Sequence, residues 1–290
     1  MKVGFVGFGE AAGALAAGLH EEGIQQLFAY DVLAGVPEKK QSLLQKASAS
    51  GVKVLESPES VCREAEIVFA AVPAAYALKA AEQATPGLSF EKTYVDVSTA
   101  TPEEKIKIAN LVHERQAKFV DGAMMGTLLR DRHKVPMLLS GDGADDMIAA
   151  LSPYHMVMKK VGDAPGKATS IKFIRSITAK GIACLLIESL EAAQRYGVEE
   201  AIVSSLCDSY SNIDFEKDVI DGYVSGSILH ANRRAHELEN VVSFLEQSSL
   251  PCEMSKAIYH KLNWLDEQHV RSRFDTVPRN WRGILEKWGL

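Results

Sequence analysis

The chain has 290 residues, of which 47% are apolar and 24% are charged, and its formal net charge is −6. This length is too great for one ordinary domain and suits two, and the apolar content is typical of a folded protein rather than of a disordered one. Residues 1–160 carry 17 Lys and Arg against 20 Asp and Glu, and residues 161–290 carry 15 against 18. Because neither part is basic, the charge distribution argues against nucleic acid as the main partner.

Membrane, secreted and metal-binding classes also find no support in the sequence. The longest apolar stretches are far shorter than the roughly 20 residues that a membrane span needs, so no membrane partner is expected. The first seven residues predict a strand rather than a signal peptide, and the expected location is the cytoplasm. The cysteines lie far apart, without a CxxC pair, and they indicate neither a disulfide framework nor a metal site. They are Cys62, Cys184, Cys207 and Cys252.

Up to about residue 160, short apolar runs alternate with helical patterns. We predict eight strands, at residues 2–8, 27–31, 52–55, 66–72, 93–97, 118–124, 135–140 and 157–161. Helices are predicted between them, at residues 11–22, 37–48, 74–83, 102–116 and 145–152. This alternation of strand and helix predicts βαβ units in a doubly wound parallel sheet, with helices on both faces.

After residue 165 the pattern is helical throughout. A run of 30 residues, 167–196, has no Pro and would span about 45 Å as a helix. Further helices are predicted at residues 199–210, 218–227, 228–247 and 251–269, followed by a tail that packs across the surface or against a partner subunit. We therefore predict an α/β domain at residues 1–163 and an all-α C-terminal domain at residues 164–290.

A glycine-rich turn follows the first predicted strand and opens the first helix. Its sequence, GFGEAA at residues 7–12, matches the pattern G-x-G-x-x-G/A of Rossmann-type dinucleotide-binding domains. Gly7 permits the tight turn, Gly9 lets the backbone approach a pyrophosphate, and Ala12 lets the helix lie close to the sheet. The acidic Asp31 at the end of the second strand is the third part of this fingerprint.

Asp31 favours NAD over NADP as the cofactor. A carboxylate in this place hydrogen-bonds the ribose 2′-hydroxyl and repels a 2′-phosphate, although Lys39 and Lys40 further along leave NADP open. The loop after the fourth strand is expected to contact the adenosine or ribose side of the cofactor. The predicted cofactor-binding residues are Gly7, Phe8, Gly9, Glu10, Ala11, Ala12, Asp31, Val72, Pro73 and Ser98.

Three further motifs resemble those of the β-hydroxyacid dehydrogenases, and the resemblance covers nearly the whole chain. This family includes 3-hydroxyisobutyrate dehydrogenase, tartronate semialdehyde reductase and 6-phosphogluconate dehydrogenase. Residues 96–102 (DVSTATP) resemble the family's D-x-S-[ST]-x-x-P substrate motif. Residues 121–127 (DGAMMGT) stand in the place of D-A-P-V-S-G-G. Residues 162–172 (GDAPGKATSIK) resemble the glycine-spaced stretch that leads to the family's catalytic lysine.

The resemblance implies an NAD(P)-dependent oxidoreductase that acts on a small β-hydroxy acid, or on its semialdehyde or keto acid. Lys172 stands in the place of the catalytic lysine. As a general acid/base it would take the hydroxyl proton during oxidation and return it to the carbonyl oxygen during reduction. The predicted substrate contacts are Ser98, Thr99, Gly126, Arg175, Ser176 and His236.

Departures from the family pattern leave the substrate open. Met125 stands where relatives have a serine whose hydroxyl contacts substrate, and Ala168 replaces the second glycine before the lysine. Arg175 and Ser176 replace the usual pair of asparagines. A guanidinium here would either clamp an anion or pair with a neighbouring acid, so a more acidic or differently shaped substrate is one hypothesis. Residues 230–237 (HANRRAHE), which include His236, resemble a branch of the family whose helical domain is poorly characterised.

Two other functions stay open. An imine reductase-like activity on the same scaffold is disfavoured by Lys172, because those enzymes generally lack the lysine. The alternative from another class is a non-catalytic, dinucleotide-binding sensor. The long apolar helices, in line with the family, also predict a homodimer. One stripe of four isoleucines is expected to pack the long helix onto the domain interface: Ile171, Ile174, Ile177 and Ile182.

Overall fold

The computed structural model describes residues 1–288, apart from the side chain of Leu129. Contacts along the backbone divide the chain into two compact units, Met1–Ser176 and Ile177–Leu290. The domain boundary predicted near residue 163 lies inside the first of these units and stays a prediction.

The first unit is built on one eight-stranded sheet. Its strands are β1 (Lys2–Val6), β2 (Gln26–Tyr30), β3 (Val52–Val54), β4 (Ile67–Ala70), β5 (Thr93–Asp96), β6 (Lys118–Met124), β7 (Met137–Ser140) and β8 (Met158–Gly162). They lie in the order β3-β2-β1-β4-β5-β6-β7-β8. Strands β2 and β3 lie on one side of β1, and β4 to β8 lie on the other. The carboxyl end of β1 is therefore a topological switch point, the place where α/β sheets bind ligands. The predicted α/β fold is thereby confirmed.

Helices cover both faces of the sheet. The helices that begin in the first unit are α1 (Glu10–Glu21), α2 (Pro37–Ala49), α3 (Pro58–Glu64), α4 (Ala77–Ala84), α5 (Pro102–His113), α6 (Leu128–Asp131), α7 (Ala144–Leu151) and α8 (Lys167–Tyr196). The start of α5 shows why these residues form a helix there. The side chain of Thr101 accepts a hydrogen bond from the backbone N–H of Glu104, and the side chain of Glu104 accepts one from the backbone N–H of Thr101. Pro102 occupies the first turn of the helix.

One pair of strands corrects the expectation of a fully parallel sheet. β6 and β7 run antiparallel, with Asp121 opposite Ser140, whereas the other neighbouring strands are parallel. The connection between them, residues 125–136, contains only short helical turns and no helix long enough for a crossover. A parallel connection needs such a crossover, so the chain returns in the opposite direction.

Two apolar cores fill the first unit, one on each side of the sheet. On one side, Phe5 stacks on Phe69 with ring centroids 5.7 Å apart, and both are fully buried. On the other side, Val6, Tyr94 and Phe119 pack together with the apolar faces of the helices. These cores hold the strand ends, and thereby the site, in place.

The second unit consists of helices. They are α9 (Glu199–Tyr210), α10 (Gly222–Leu229), α11 (Ala231–Gln247), α12 (Glu253–Glu267) and α13 (Trp281–Trp288). A π-helical segment, Phe215–Asp221, connects α9 to α10. Helix α13 falls where only a tail was predicted, and its Ile284 is fully buried in the core of this unit. Over residues 1–288, none of the helices combines the length and the apolar content that crossing a membrane requires.

The predicted burial of the isoleucine stripe on α8 is wrong for the single chain. Ile174, Ile177 and Ile182 are exposed at 67%, 74% and 45%. The helical spacing correctly places them along one side of α8, but spacing alone does not say which partner covers an apolar face.

Candidate functional site

The glycine turn between β1 and α1 leaves room for a phosphate group. Gly7 has φ +84°, and a Cβ on it would lie 2.7 Å from the carbonyl oxygen of Ala71, so no larger residue fits. A Cβ built on Gly9 would meet no atom within 4 Å. Within the described residues no side chain caps the N-terminus of α1, so the N–H groups of its first turn are left for a ligand or solvent. The turn therefore suits a pyrophosphate.

Asp31 binds the glycine turn directly. Its Oδ2 accepts from the backbone N–H of Phe8 at 2.7 Å, and its Oδ1 accepts from that of Leu33 at 2.8 Å. A carboxylate offers about four acceptor positions, so these bonds leave capacity for a ribose hydroxyl.

The remaining residues predicted to bind the cofactor surround the same turn. Ala12 is fully buried, so α1 lies close to the sheet, while Glu10 is exposed. Val72 belongs to the loop after β4, and its Cγ1 would lie 2.7 Å from a Cβ on Gly7. The structure thus brings the glycine turn, Asp31 and the loop after β4 together. Phe8 is 2% exposed, Ala11 is half-buried and Pro73 is exposed.

A second polar group lies where β5 ends. Asp96 and Asp121 are paired neighbours in β5 and β6, and Lys105 of α5 lies between their carboxylates. Its Nζ is 3.2 Å from Oδ2 of Asp96 and 3.4 Å from Oδ1 of Asp121, and all three side chains are 0% exposed. Burial, reinforced by the charge of Asp96, holds the pKa of the neighbouring Tyr94 well above its usual range, so this phenol stays protonated. We call Asp96, Lys105 and Asp121 the buried triad.

Ser98 lies in the turn that follows β5. Its backbone N–H donates to Oδ1 of Asp96 at 2.8 Å, and its Oγ accepts from the N–H of Ala100 at 3.2 Å. Nζ of Lys105 donates to its carbonyl oxygen at 3.1 Å. The turn is therefore fixed by hydrogen bonds on both sides. Ser98 is 7% exposed, whereas the side chain of Thr99 is exposed.

The start of α8 is bound to the same place. The N–H of Ala168 donates to Oγ of Ser140 at 3.0 Å, and Thr169 donates to Asp121 through its N–H at 2.9 Å and its Oγ1 at 2.6 Å. These bonds satisfy N–H groups of the first turn that have no partner inside the helix. Gly166, with φ +86°, approaches so closely that a Cβ on it would lie 2.9 Å from the carbonyl oxygen of Pro102.

The residues predicted to contact substrate are divided between the two units. Lys172 is half-buried and Arg175 is exposed, both on α8 in the first unit. Ser176 donates its hydroxyl to the carbonyl oxygen of Lys172 at 2.9 Å. Gly126 lies after β6 beside Asp131, whose Oδ2 would be 2.8 Å from a Cβ on it. His236 belongs to the second unit, where its Nδ1 lies 2.9 Å from the carbonyl oxygen of Asn232.

The buried triad was not predicted from the sequence. The available signal was Lys105, which shares the buried stripe of α5 with Ile108, Ala109 and Val112 at helical spacing. A lysine on an apolar stripe requires buried carboxylates as partners, and two successive strands carry aspartates at paired positions.

Family models match two parts of the chain. Residues 2–100 match a model described as NADP oxidoreductase, coenzyme F420-dependent, and residues 193–265 match a domain of unknown function, DUF1932. A solved protein of unknown function, described as structurally similar to 3-hydroxyacid dehydrogenases, is 31% identical. The match covers 93% of this chain and 99% of that one, with a TM-score of 0.62. The chain belongs to the β-hydroxyacid dehydrogenase-like family.

Two more distant proteins are also similar to this chain. The 2-(hydroxymethyl)glutarate dehydrogenase of Eubacterium barkeri is 23% identical over 78% of this chain and 76% of its own length. An imine reductase of Streptomyces aurantiacus is 16% identical over 99% of both chains, with a TM-score of 0.77, which shows a shared fold. This β-hydroxyacid dehydrogenase-like protein is thus an NAD(P)-dependent oxidoreductase by family, with a nicotinamide dinucleotide-binding fold.

Proposed function

We propose that this protein transfers a hydride between a nicotinamide dinucleotide and a small β-hydroxy acid, or its semialdehyde or keto acid, with Lys172 as general acid/base. The main support for this proposal is that the first turn of α8 is hydrogen-bonded to Asp121 and Ser140. Lys172 begins the second turn of this helix, and the Ser98 turn is attached to the same buried triad. The lysine and the substrate motif therefore share one rigid framework.

The chain's own residues divide the work of this reaction. The glycine turn holds the pyrophosphate with N–H groups of α1, and Asp31 holds the ribose. When bound, the nicotinamide supplies or accepts the hydride. Lys172 accepts the proton of the substrate hydroxyl during oxidation and donates it to the carbonyl oxygen during reduction. The Ser98 turn and Thr99 orient the substrate carboxylate.

Arg175 suits an acidic substrate. Its guanidinium is exposed, and across residues 1–288 it forms no ion pair within 4.0 Å. A planar guanidinium can bind a carboxylate through two parallel hydrogen bonds. We therefore propose that Arg175 binds a second anionic group of the substrate, with Ser176 and Gly126 shaping the same pocket.

We propose NAD as the preferred cofactor. The carboxylate of Asp31 at the glycine turn supports this choice, because it would repel a 2′-phosphate. The N-terminal family model is described as an NADP oxidoreductase, so the affinities for both cofactors need to be compared by titration. Binding of NADPH at least as tight as that of NADH would overturn the preference.

Turnover of a panel of hydroxy acids with NAD⁺ and NADP⁺, followed by nicotinamide absorbance, tests the reaction. Lys172→Ala is expected to lower kcat by roughly 100- to 10,000-fold and to leave the dissociation constant of the cofactor unchanged. Lys180→Ala, an exposed lysine of the same helix, is the matched control. Full activity of Lys172→Ala would refute the role of the lysine. Turnover of imines in that variant would favour an imine reductase, and cofactor binding without any turnover would favour a sensor.

We also propose that two copies of the chain form a homodimer through the helical unit. Several large apolar side chains of α8 and α9 are exposed in the single chain: Ile182, Leu186, Ile187, Leu190, Ile202 and Val203. An apolar surface of this extent is typical of an interface between subunits. Sedimentation equilibrium should give twice the mass of one chain.

A further inference from the structure

Lys105 takes part in no chemical step of the mechanism above, although it is fully buried between two carboxylates. Its ammonium lies within 3.4 Å of the carboxylates of Asp96 and Asp121 and donates to the carbonyl oxygens of Asp96, at 2.8 Å, and Ser98. A lysine has three donors and no acceptor, and a buried charge is tolerated only when it is well paired. The contacts therefore hold Nζ at one point.

Asp121 extends this constraint to α8. Both of its oxygens accept from Thr169, and Oδ2 also accepts from Oγ of Ser140 at 3.3 Å. Lys172 follows Thr169 by three residues, so the two side chains leave the helix on the same side. Through Asp121, the position of Lys105 thus bears on the position of Lys172.

The same ammonium also fixes the substrate motif. Its hydrogen bond to the carbonyl oxygen of Ser98 and its ion pair with Asp96 fix the turn after β5. The two groups that must meet across the substrate, Ser98 and Lys172, are thus connected through one side chain. Apolar packing has no direction, whereas this chain of hydrogen bonds fixes both distance and angle.

We propose that Lys105 is a positioning residue that sets the distance between the Ser98 turn and Lys172. The inference rests on the proposed function, because it assigns these two groups to substrate and proton transfer. Lys105 itself is 0% exposed and touches no substrate. Its effect on catalysis passes through Asp121 and Thr169, since a displacement of about 1 Å between reacting groups can cost roughly 100-fold in rate.

Thr169→Val tests the proposal without removing a charge. Valine keeps the shape of threonine but deletes the Oγ1 donor to Asp121, while Asp96, Lys105 and Asp121 remain paired. We expect kcat to fall by about 10- to 100-fold, with KM and the cofactor dissociation constant changed by less than about twofold. Tyr94→Phe is the matched control. It deletes another buried hydroxyl, one without a hydrogen-bond partner in the part of the chain described, and kcat should not change.

Each outcome decides the proposal. An unchanged kcat in Thr169→Val, or a loss of activity that appears only in KM, overturns it, because a purely structural role would lower thermal stability without changing kcat. If the wild-type protein turns over no hydroxy acid, the proposed function fails and hydrogen exchange decides the positioning. Exchange at residues 168–172 that is roughly tenfold faster in Thr169→Val, but not in Tyr94→Phe, supports it, and equal exchange overturns it.

Discussion

The two units bury their apolar side chains to very different extents. In the first unit the sheet is covered on both faces, and Phe5, Phe69 and Phe119 are fully buried. In the second unit α9 has no buried residue, and Ile187 and Leu190 on α8 are 57% and 40% exposed. Since the burial of apolar area is the main favourable contribution to folding, the first unit gains this contribution within the single chain, whereas the second has a face that gains stability when covered.

Helix α8 combines a buried, hydrogen-bonded start with later turns that expose apolar side chains. Its first turn is bound to Asp121 and Ser140 in the first unit, and its later turns carry the exposed isoleucines and leucines. Lys172 and Ser98, which are proposed for chemistry, lie where the backbone is fixed by buried polar groups. The residues proposed for assembly lie where the side chains are exposed and apolar. The following variants test this division.

The largest effect is expected from Lys105→Met in the first unit. The variant leaves the carboxylates of Asp96 and Asp121 buried without a counter-charge, which should lower the free energy of unfolding by about 3–5 kcal/mol. Urea denaturation at constant pH measures this change. Lys256→Met in the second unit is the control, because its ion pair with Glu246 is 46% and 52% exposed and should contribute little. Equal losses in the two variants would contradict the contrast between the units.

The next effect concerns the exposed face of the second unit. Ile187→Glu places a charge in the proposed interface and should weaken the dimer by at least about 100-fold, or about 2.7 kcal/mol. Phe90→Glu, on the first unit and 69% exposed, should leave the dimer intact. Sedimentation equilibrium over a range of protein concentrations distinguishes the two. A wild-type protein that is monomeric at micromolar concentration, or a variant that dimerises normally, would show that this face serves another purpose.

Local patterns predicted most of the elements. Residues 118–124 and 167–196 form a strand and a helix as expected, and Gly197, with φ +65°, marks the end of the helix. The glycine turn was also predicted, because strand, turn and helix follow each other within a few residues. Its Gly7 has the positive φ that a tight turn needs.

The features that were missed depend on contacts between distant residues. The pairing of Asp96 with Asp121 is a matter of strand register, and no local pattern joins either of them to Lys105 or Thr169. The antiparallel direction of β7 follows from a connection that contains no crossover helix. For the isoleucines of α8, periodicity identified the apolar side, but burial depends on a partner that the periodicity does not name.

The smallest effect is expected in the first unit at Glu22, which joins the end of α1 to the segments before β7 and β8. Its carboxylate binds Lys134 at 3.0 Å and His155 at 2.7 Å, and these partners lower the pKa of Glu22 from 4.5 to about 2. A lowered carboxyl pKa stabilises the folded state fully above pH 4.5, and the contribution disappears as the pH falls toward 2.

Glu22→Gln should therefore unfold at a lower temperature than the wild type near neutral pH, and the difference should narrow below pH 4.5. Thermal melts from neutral pH down to about pH 3 measure the difference. A difference that stays constant with pH would mean that the amide loses shape-dependent contacts rather than charge, and that exposed ion pairs contribute as little in the first unit as in the second.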